Sequence, residues 1–201
     1  MEHDRISAEE FLEWVLSQED RFELVDGHVI EMMTGVNQSH NVVVSNIVSS
    51  LAPQSKSRGC RTTSSDTAVQ TLASTIRYPD IVVDCGPPDP DAMVAESPTL
   101  VVEVSSPGTS SVDTTDKLDE YREHAAVRLI MFVEPGHILV KLYRRDDEGA
   151  WGSEKYDDLE SVIYMPEIGA SIALSEIYDT LTPRNRPRLH LIEEINGKKP
   201  R

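Results

Sequence analysis

Two carboxylates interrupt apolar segments in the middle of this chain. Glu103 lies within the run Pro98-Thr-Leu-Val-Val-Glu-Val104, and Asp80 directly precedes Ile81-Val-Val83. Near-continuous apolar runs of this length are typical of strands that are buried on both faces. A carboxylate in such a strand needs a compensating partner, because burying an unpaired charge is strongly unfavourable. A metal ion, a lysine or exposure at the end of the strand would provide that compensation.

Asp80 and Glu103 would lie close together if they stand at the ends of two neighbouring strands. Paired carboxylate oxygens suit Mg²⁺ or Mn²⁺, which are hard ions that keep several waters and accept phosphate oxygens. The two residues therefore indicate metal-assisted chemistry on a phosphate. Taken singly, each has a structural alternative: Asp80 as a turn residue after a proline, and Glu103 as a salt-bridge partner at a strand end.

A lysine follows on the next predicted helix. Asp113 is placed to cap that helix, with Asp116 at the capping-box position, so Lys117 falls in the first full turn. Because helical side chains lean towards the helix N-terminus, the Lys117 ammonium would point back to the end of the strand that carries Glu103. The alternative is a solvated lysine on the helix surface.

The elements that would position these residues show both helical and strand periodicity. Ser7 and Glu10 form a capping box that predicts a helix over residues 7–18, and Asp26-Gly27 predicts a two-residue hairpin turn. The remaining pattern predicts helices from Ser39 to about Leu51, ending at Pro53, at 114–125 and, as a short helix, at 175–181. It predicts strands at 21–25, 28–33, 61–72, 79–84, 98–104, 128–135 and 137–145, with weaker strand signals at 151–165.

This mixture predicts an α/β fold with a central mixed β-sheet flanked by helices. A chain of 201 residues with 39% apolar composition is long enough for one substantial core and short for two domains. We therefore expect a single domain over residues 1–182 and a loosely ordered C-terminal tail over residues 183–201.

The charge balance is strongly acidic, with 19 Lys and Arg against 35 Asp and Glu and a formal net charge of −16. Proteins that bind duplex DNA through many phosphates usually present a basic face, so this balance argues against tight nonspecific binding of nucleic acid. It does not exclude a nuclease, because bound divalent ions bring positive charge and a dimer could assemble a basic groove.

The two cysteines, Cys60 and Cys85, have neither metal-ligand spacing nor the density of a disulfide-rich secreted protein, so we expect reduced, buried thiols. The N-terminal residues MEHDRISAEE lack an apolar signal core, and no stretch approaches the roughly 18 to 20 apolar residues of a membrane span. We expect a cytoplasmic protein with no membrane partner.

Four motifs occur in order along the chain: R-Y-P-D-I-V-V at 77–83, L-V-V-E-V-S-S-P at 100–107, D-T-T-D-K-L-D-E-Y at 113–121 and R-L-I-M-F-V-E-P at 128–135. With F-E-L-V-D-G-H-V at 22–29 and His40 at the start of a helix, they resemble the bacterial Uma-two family of restriction endonuclease-like proteins, over about residues 5–180. That family belongs to the PD-(D/E)XK nuclease superfamily.

The resemblance implies a restriction endonuclease-like fold and a Mg²⁺- or Mn²⁺-dependent endonuclease acting on nucleic acid, with DNA as the expected substrate. It also implies that Asp80 and Glu103 bind the catalytic metal and that Glu23 completes the acidic set, with pairing across the hairpin as the alternative for Glu23. In the commonest superfamily pattern the lysine lies two residues after the acid, where this chain has Ser105. The resembled family takes it from the following helix, so Lys117 is the expected catalytic lysine.

Other functions stay open at this point. A catalytically inactive nuclease-fold module for binding or assembly would fit the acidic composition, and a hydrolase of another phosphate ester would share the metal site. Dimerisation is compatible with this superfamily, although no homodimer interface can be identified from the sequence. His40 is expected to be a capping or packing residue, with direct catalysis as the alternative. Asp66 and Asp84 are expected in structural roles, with a place near the site as the alternative.

Overall fold

The computed structural model of the chain describes residues 5–32, 35–106 and 111–185, of which 111–113 are described by their backbone alone. Most of the predicted tail, residues 186–201, therefore lies outside the described residues. The α-helices are α1 (Ala8–Val15), α2 (Gln38–Ser55), α3 (Ser111–Glu123) and α4 (Leu174–Ile177). The strands are β1 (Phe22–Val25), β2 (His28–Glu31), β3 (Arg61–Ser64), β4 (Val69–Leu72), β5 (Thr75–Arg77), β6 (Ile81–Asp84), β7 (Pro98–Val104), β8 (Leu129–Val133), β9 (Val140–Arg145), β10 (Trp151–Tyr156), β11 (Val162–Met165) and β12 (Ala170–Ala173).

A six-stranded mixed sheet forms the centre of the fold. Its strand order is β10-β9-β8-β7-β6-β3, with a parallel pair at β7 and β8 and antiparallel pairing between the other neighbours. The parallel pair is connected through α3, because parallel strands require a crossover segment. A four-stranded sheet in the order β2-β1-β5-β4 and a hairpin of β11 and β12 complete the fold. The expectation of an α/β fold with a central mixed sheet and flanking helices is confirmed.

Apolar side chains cover both faces of the central sheet. On one face Leu100, Val102 and Val104 of β7 belong to the largest core cluster, which includes the buried stripe of α2. On the other face Val101 packs in a second cluster with Tyr121 of α3. Glu103 lies on this second face, because side chains alternate along a strand. The predicted buried strand is therefore present, and α3 covers its acidic residue.

The capping box at Ser7 and the hairpin turn at Asp26-Gly27 are confirmed, although helix α1 ends at Val15 and not at residue 18. At the start of α1 the Glu10 N–H donates to Ser7 Oγ over 3.2 Å, and the Ser7 N–H donates to Glu10 Oε2 over 2.8 Å, so the capping box is complete. Between β1 and β2, Asp26 and Gly27 have φ angles of 49° and 78°. Positive φ at both central residues is the geometry of a tight hairpin turn, which fixes the register that places Glu23.

Two predicted boundaries in the middle of the chain are wrong. Helix α2 continues past Pro53 to Ser55, because its buried face extends through Leu51 to Ser55 and packing retains the last turn. The predicted strand at 61–72 is two strands, since Ser65 has a φ of 64° and turns the chain out of the extended conformation. As a result β3 and β4 belong to different sheets.

Some elements were missed or displaced. The sequence pattern did not predict β5 or β12, which are short. Helix α3 begins at Ser111, so Asp113 lies in its first turn rather than at the cap, and its side chain is outside the described residues. Within the described part of the chain, no helix has the length and apolar character needed to span a membrane.

The expectation of reduced cysteines is wrong. Cys60 and Cys85 form a disulfide bond with their Cα atoms 4.1 Å apart. The cause is the antiparallel pairing of β3 and β6, which places Arg61 opposite Asp84 and therefore sets the two flanking cysteines side by side. A sequence separation of 25 residues gave no indication of this pairing.

Candidate active site

The candidate site lies where the chain passes from the four-stranded sheet into the six-stranded sheet. Strand β5 ends at Arg77, and Asp80 directly precedes β6. The antiparallel register of β6 and β7 places Asp80 beside Glu103, and the Val104 N–H donates to Asp80 Oδ2 over 2.7 Å. The structure therefore brings together the two carboxylates that the sequence singled out.

Glu103 is the more buried of these two carboxylates and is surrounded by charged groups. Its Oε1 atom lies 3.2 Å from Lys117 Nζ and accepts a hydrogen bond of 2.6 Å from Tyr121 Oη. Burial raises the pKa of Glu103 to about 7; the Lys117 ammonium opposes this shift, and the carboxylates of Asp80 and Glu23 add to it. A further cation would therefore stabilise the negative charge around Glu103.

Lys117 also contacts the acidic residue of β1. Its Nζ atom lies 3.4 Å from Glu23 Oε1, which in addition accepts a hydrogen bond of 3.2 Å from the Tyr78 N–H. Glu23 Oε2 accepts a hydrogen bond of 2.8 Å from Arg77 Nη1. Both oxygens of Glu23 therefore have protein partners, and the side chain lies behind Lys117. Lys117 itself is buried, as an ammonium between two carboxylates can be.

A buried arginine connects three elements behind the site. Arg77 Nε and Nη2 donate to the two oxygens of Glu120 over 2.7 and 2.6 Å, while Nη1 donates to Glu23. The arginine side chain is only 5% exposed, and the paired geometry makes these strong, charge-assisted hydrogen bonds. Arg77 thus joins β5 to β1 and to α3, the helix that carries Lys117.

A histidine from α2 approaches the other carboxylate. His40 Nε2 lies 3.2 Å from Asp80 Oδ1, and its imidazole is buried. Burial lowers the pKa of His40, but hydrogen bonding and attraction to Asp80 outweigh it, so the pKa lies above its ordinary value. Asn37 is the N-cap residue of α2, so of the two structural roles considered for His40 the buried, packed one applies and the histidine does not cap the helix. The histidine instead helps to hold Asp80.

The other two carboxylates considered from the sequence lie elsewhere. Asp84, at the far end of β6, accepts hydrogen bonds from the N–H groups of Gly86 and Ser97 and from Arg61. Burial raises the pKa of Asp84, but these donors lower it more, so the group stays ionised in a structural role. Asp66 is 90% exposed. Neither residue joins the candidate site.

Sequence reasoning missed the roles of Arg77, Glu120 and Tyr121. Arg77 is the first residue of the R-Y-P-D motif, and a charged residue directly before the Asp80 segment was the available signal. Tyr121 fell on the packed stripe of the predicted helix, and nothing in the stripe indicated that its hydroxyl would reach Glu103. Their partners lie 18 to 54 residues away along the chain, beyond the range of any local pattern.

The carboxylates can be compared with the ligand requirements of a metal ion. Among the described residues no three His, Cys, Asp or Glu side chains form a ready ligand group. Mg²⁺ is commonly held by only one or two carboxylates and completes its shell with waters and substrate phosphates. Asp80 and Glu103 match that smaller set. The pKa of Glu103 is raised first by burial and then by the negative charges of Asp80 and Glu23, and a bound cation would favour its ionised form. The donors therefore fit a hard divalent ion.

Comparison with solved structures defines the class of fold. The chain is similar to the "putative nuclease belonging to DUF820" from Anabaena variabilis ATCC 29413, with a TM-score of 0.70 and 20% sequence identity over 86% of this chain and 97% of that chain. The described architecture is that of a restriction endonuclease-like nuclease fold.

Sequence comparison then defines the family. The Uma2 family model, described as "Putative restriction endonuclease", matches residues 8–175, and the chain belongs to this family. The resemblance identified from the motifs is confirmed. The chain is also similar to the uncharacterized protein slr1290 of Synechocystis sp., at 28% identity over 177 residues, which cover 87% of this chain and 92% of that protein.

Proposed function

We propose that this protein is a Mg²⁺- or Mn²⁺-dependent endonuclease that hydrolyses phosphodiester bonds in nucleic acid, with DNA as the substrate to test first. The observation that carries the proposal is the juxtaposition of Asp80 and Glu103 on paired strands, with Lys117 Nζ 3.2 Å from Glu103. Membership of the Uma2 family supports the same class of activity.

Asp80 and Glu103 are the residues that would hold the ion. When bound, such an ion lowers the pKa of a coordinated water and neutralises charge on the phosphate. The prediction that Glu23 is a third ligand stays a prediction. Its contacts with Arg77, Tyr78 and Lys117 favour a positioning role, because two cationic side chains, Arg77 and Lys117, already balance its charge.

Protein side chains make the other contributions to the proposed reaction. Lys117 lies within reach of the carboxylate pair, where it would orient the nucleophile or donate to the negative charge that develops on the phosphate. Tyr121 holds Glu103 through its hydroxyl, and His40 with the Val104 N–H holds Asp80. These contacts fix the carboxylates in position before the substrate arrives, which reduces the reorganisation that the reaction requires.

Nicking of supercoiled plasmid in the presence of Mg²⁺ or Mn²⁺ tests the proposal. We expect Asp80→Asn and Glu103→Gln to lower the nicking rate by at least about 100-fold, in the range for loss of a principal catalytic group. Glu148→Gln is the matched control, because Glu148 is an exposed carboxylate in the turn between β9 and β10. A wild-type protein that cleaves no nucleic acid with either ion, or variants that cleave as fast as the control, would refute the proposal.

A second candidate function is an inactive nuclease-fold module for binding or assembly. The observation that favours it is the formal net charge of −16, which is unfavourable for a protein that must approach a polyanion. Calorimetric titration with Mn²⁺ separates the two candidates. Tight Mn²⁺ binding that is lost in Asp80→Asn supports the nuclease, whereas an inactive module has no need to retain it.

A further inference from the structure

A cavity of about 460 Å³ opens beside the candidate active site, between the first turns of α3 and the ends of β7, β8 and β9. Its volume lies within the range of sites that bind small molecules or single groups of larger ligands. We call it the side cavity. Its lining includes Ser105, Leu118, Phe132, Glu134, Lys141 and Tyr143.

The strand register places the side cavity in line with the carboxylate pair. Glu103 is opposite Phe132 on β8, and Phe132 is opposite Lys141 on β9, so the three side chains form a row on the face that α3 covers. Ser105, two residues after Glu103, points to the same face and lines the cavity. Lys141 is two strands from Glu103, a separation of about 10 Å. The Lys141 side chain can therefore reach a phosphate that neighbours the scissile one on the substrate strand.

The walls of the side cavity combine an aromatic surface with a lysine. The rings of Phe132 and Tyr143 pack edge to face at 6.1 Å, and the Arg122 guanidinium lies over one face of Tyr143, 5.0 Å from the ring centre. Leu118 and Leu139 add apolar surface. Lys141 is exposed and forms no ion pair with any described residue. Aromatic surface suits a nucleobase, and a lysine suits the phosphate attached to it.

We propose that the side cavity binds one unpaired nucleotide of the substrate strand next to the scissile phosphate, with its base against Phe132 and Tyr143 and its phosphate on Lys141. This inference rests on the proposed nuclease function and names the form of its substrate: a single-stranded segment or a nucleotide displaced from a duplex. Glu134 also lines the cavity, and a carboxylate there would accept a hydrogen bond from the N–H edge of a base.

An unpaired nucleotide fits the charge of this protein better than an intact duplex does. Duplex binding depends on many phosphate contacts from a basic surface, and the chain carries a formal net charge of −16. Stacking of a base on an aromatic side chain contributes affinity without such a surface. A base that enters the cavity must leave its stack, as the target base does in enzymes that act on displaced bases.

Lys141→Met tests the phosphate contact, with Lys155→Met as the matched control. Lys155 is opposite Lys141 on the neighbouring strand β10, but it pairs with Asp157 and does not line the cavity. Binding of a short fluorescent single-stranded DNA, and of its RNA counterpart, is measured by anisotropy without divalent ions, so that cleavage does not interfere. We expect Lys141→Met to reduce the slope of log affinity against log salt by about 0.7, the value for one contact to a single strand.

The base contact is tested from the substrate side, which leaves the protein unchanged. Removing the base at the nucleotide bound by the cavity should weaken binding by about tenfold, in the range for loss of one stacked base. A series of oligonucleotides with a single abasic position locates that nucleotide. In Tyr143→Leu, removal of the base at that position should no longer weaken binding. In Tyr164→Leu, which changes an exposed tyrosine outside the cavity, the same removal should still weaken binding.

The outcomes distinguish failure of the side-cavity proposal from failure of the nuclease proposal. If the wild type cleaves nucleic acid in a manner that requires Asp80 and Glu103, but Lys141→Met and Lys155→Met bind alike and every abasic position is neutral, the side-cavity proposal fails and the nuclease survives. If binding depends on Lys141 and on one base but cleavage is absent, the binding site stands and the nuclease fails. A wild type that binds neither probe overturns the side-cavity proposal.

Discussion

Glu103 is an acidic side chain held between groups of both signs. Lys117 and Tyr121 contact one of its oxygens, while the charges of Asp80 and Glu23 act against its ionisation. In this arrangement the lysine stabilises the carboxylate of the free protein and competes with a metal ion for it. Lys117 is therefore expected to serve the reaction rather than the binding of the metal.

Lys117→Met tests that distinction. We expect the single-turnover cleavage rate to fall by about 100- to 1000-fold, because a preorganised donor to developing charge is lost. The affinity for Mn²⁺, measured by calorimetry on the same variant, should be equal to that of the wild type or higher, since a competing cation has been removed. Equal cleavage rates in Lys117→Met and in Lys155→Met would contradict the assignment. Parallel loss of Mn²⁺ binding would show that Lys117 maintains the site instead.

At the level of single residues, sequence reasoning was most successful where a charged residue broke an apolar pattern. Asp80 and Glu103 stood out because burial in a strand makes an unpaired carboxylate costly, and the structure places them side by side. Tyr121 and His40 could not be assigned in this way. Each is compatible with an ordinary packed helix, and its polar contact depends on which strand end the fold brings beneath it.

At the level of elements, the attachment of α3 to the two sheets positions the lysine. Helix α3 packs on the central sheet through Tyr121 and is tied to the four-stranded sheet by the pairing of Glu120 with Arg77. Arg77 in turn holds Glu23 on β1. The sequence predicted the helix and its lysine but not this connection, because β5 was too short to be recognised as a strand.

Arg77→Met should destabilise the fold by about 3 to 5 kcal/mol, because it leaves the buried carboxylates of Glu23 and Glu120 without their partner. The free energy of unfolding from urea titration measures the effect. Arg5→Met is the control, since the Arg5–Asp26 pair is 65% exposed on both sides and such pairs contribute at most about 1 kcal/mol. If the two variants lose similar stability, Arg77 does not organise the site. Addition of Glu120→Gln to Arg77→Met should recover part of the loss.

At the level of the whole molecule, the disulfide links the edge strand of the central sheet to its neighbour. Cys60 directly precedes β3 and Cys85 directly follows β6, so the bond closes a loop of 25 residues that contains the Asp80 turn. We expect Cys60→Ser with Cys85→Ser to lower the free energy of unfolding by about 3 kcal/mol relative to the oxidised protein, from the added entropy of the unfolded chain. Reduction of the wild type should give the same loss. Free thiols in the folded, unreduced protein would contradict the disulfide.

The fold as a whole was predictable in class but not in its division into sheets. Apolar runs, the hairpin turn at Asp26-Gly27 and the capping box at Ser7 indicated an α/β protein. The break at Ser65 was not predicted, because a serine with positive φ is set by the tertiary fold and not by local preference. That break creates the junction between the sheets at which Asp80 lies.

The net charge of −16 leads to a prediction about the encounter with substrate. Two molecules of like charge repel over about a Debye length, which falls from about 30 Å at 0.01 M salt to about 10 Å at 0.1 M. We therefore expect kcat/KM, measured below saturation at constant divalent ion, to rise as monovalent salt increases over this range. A nuclease with a basic groove would show the opposite trend, because salt competes with its phosphate contacts. A steep fall in kcat/KM would show that the substrate meets a basic surface, such as one that a homodimer could assemble. Sedimentation of the protein at the assay concentration would then decide whether a dimer forms.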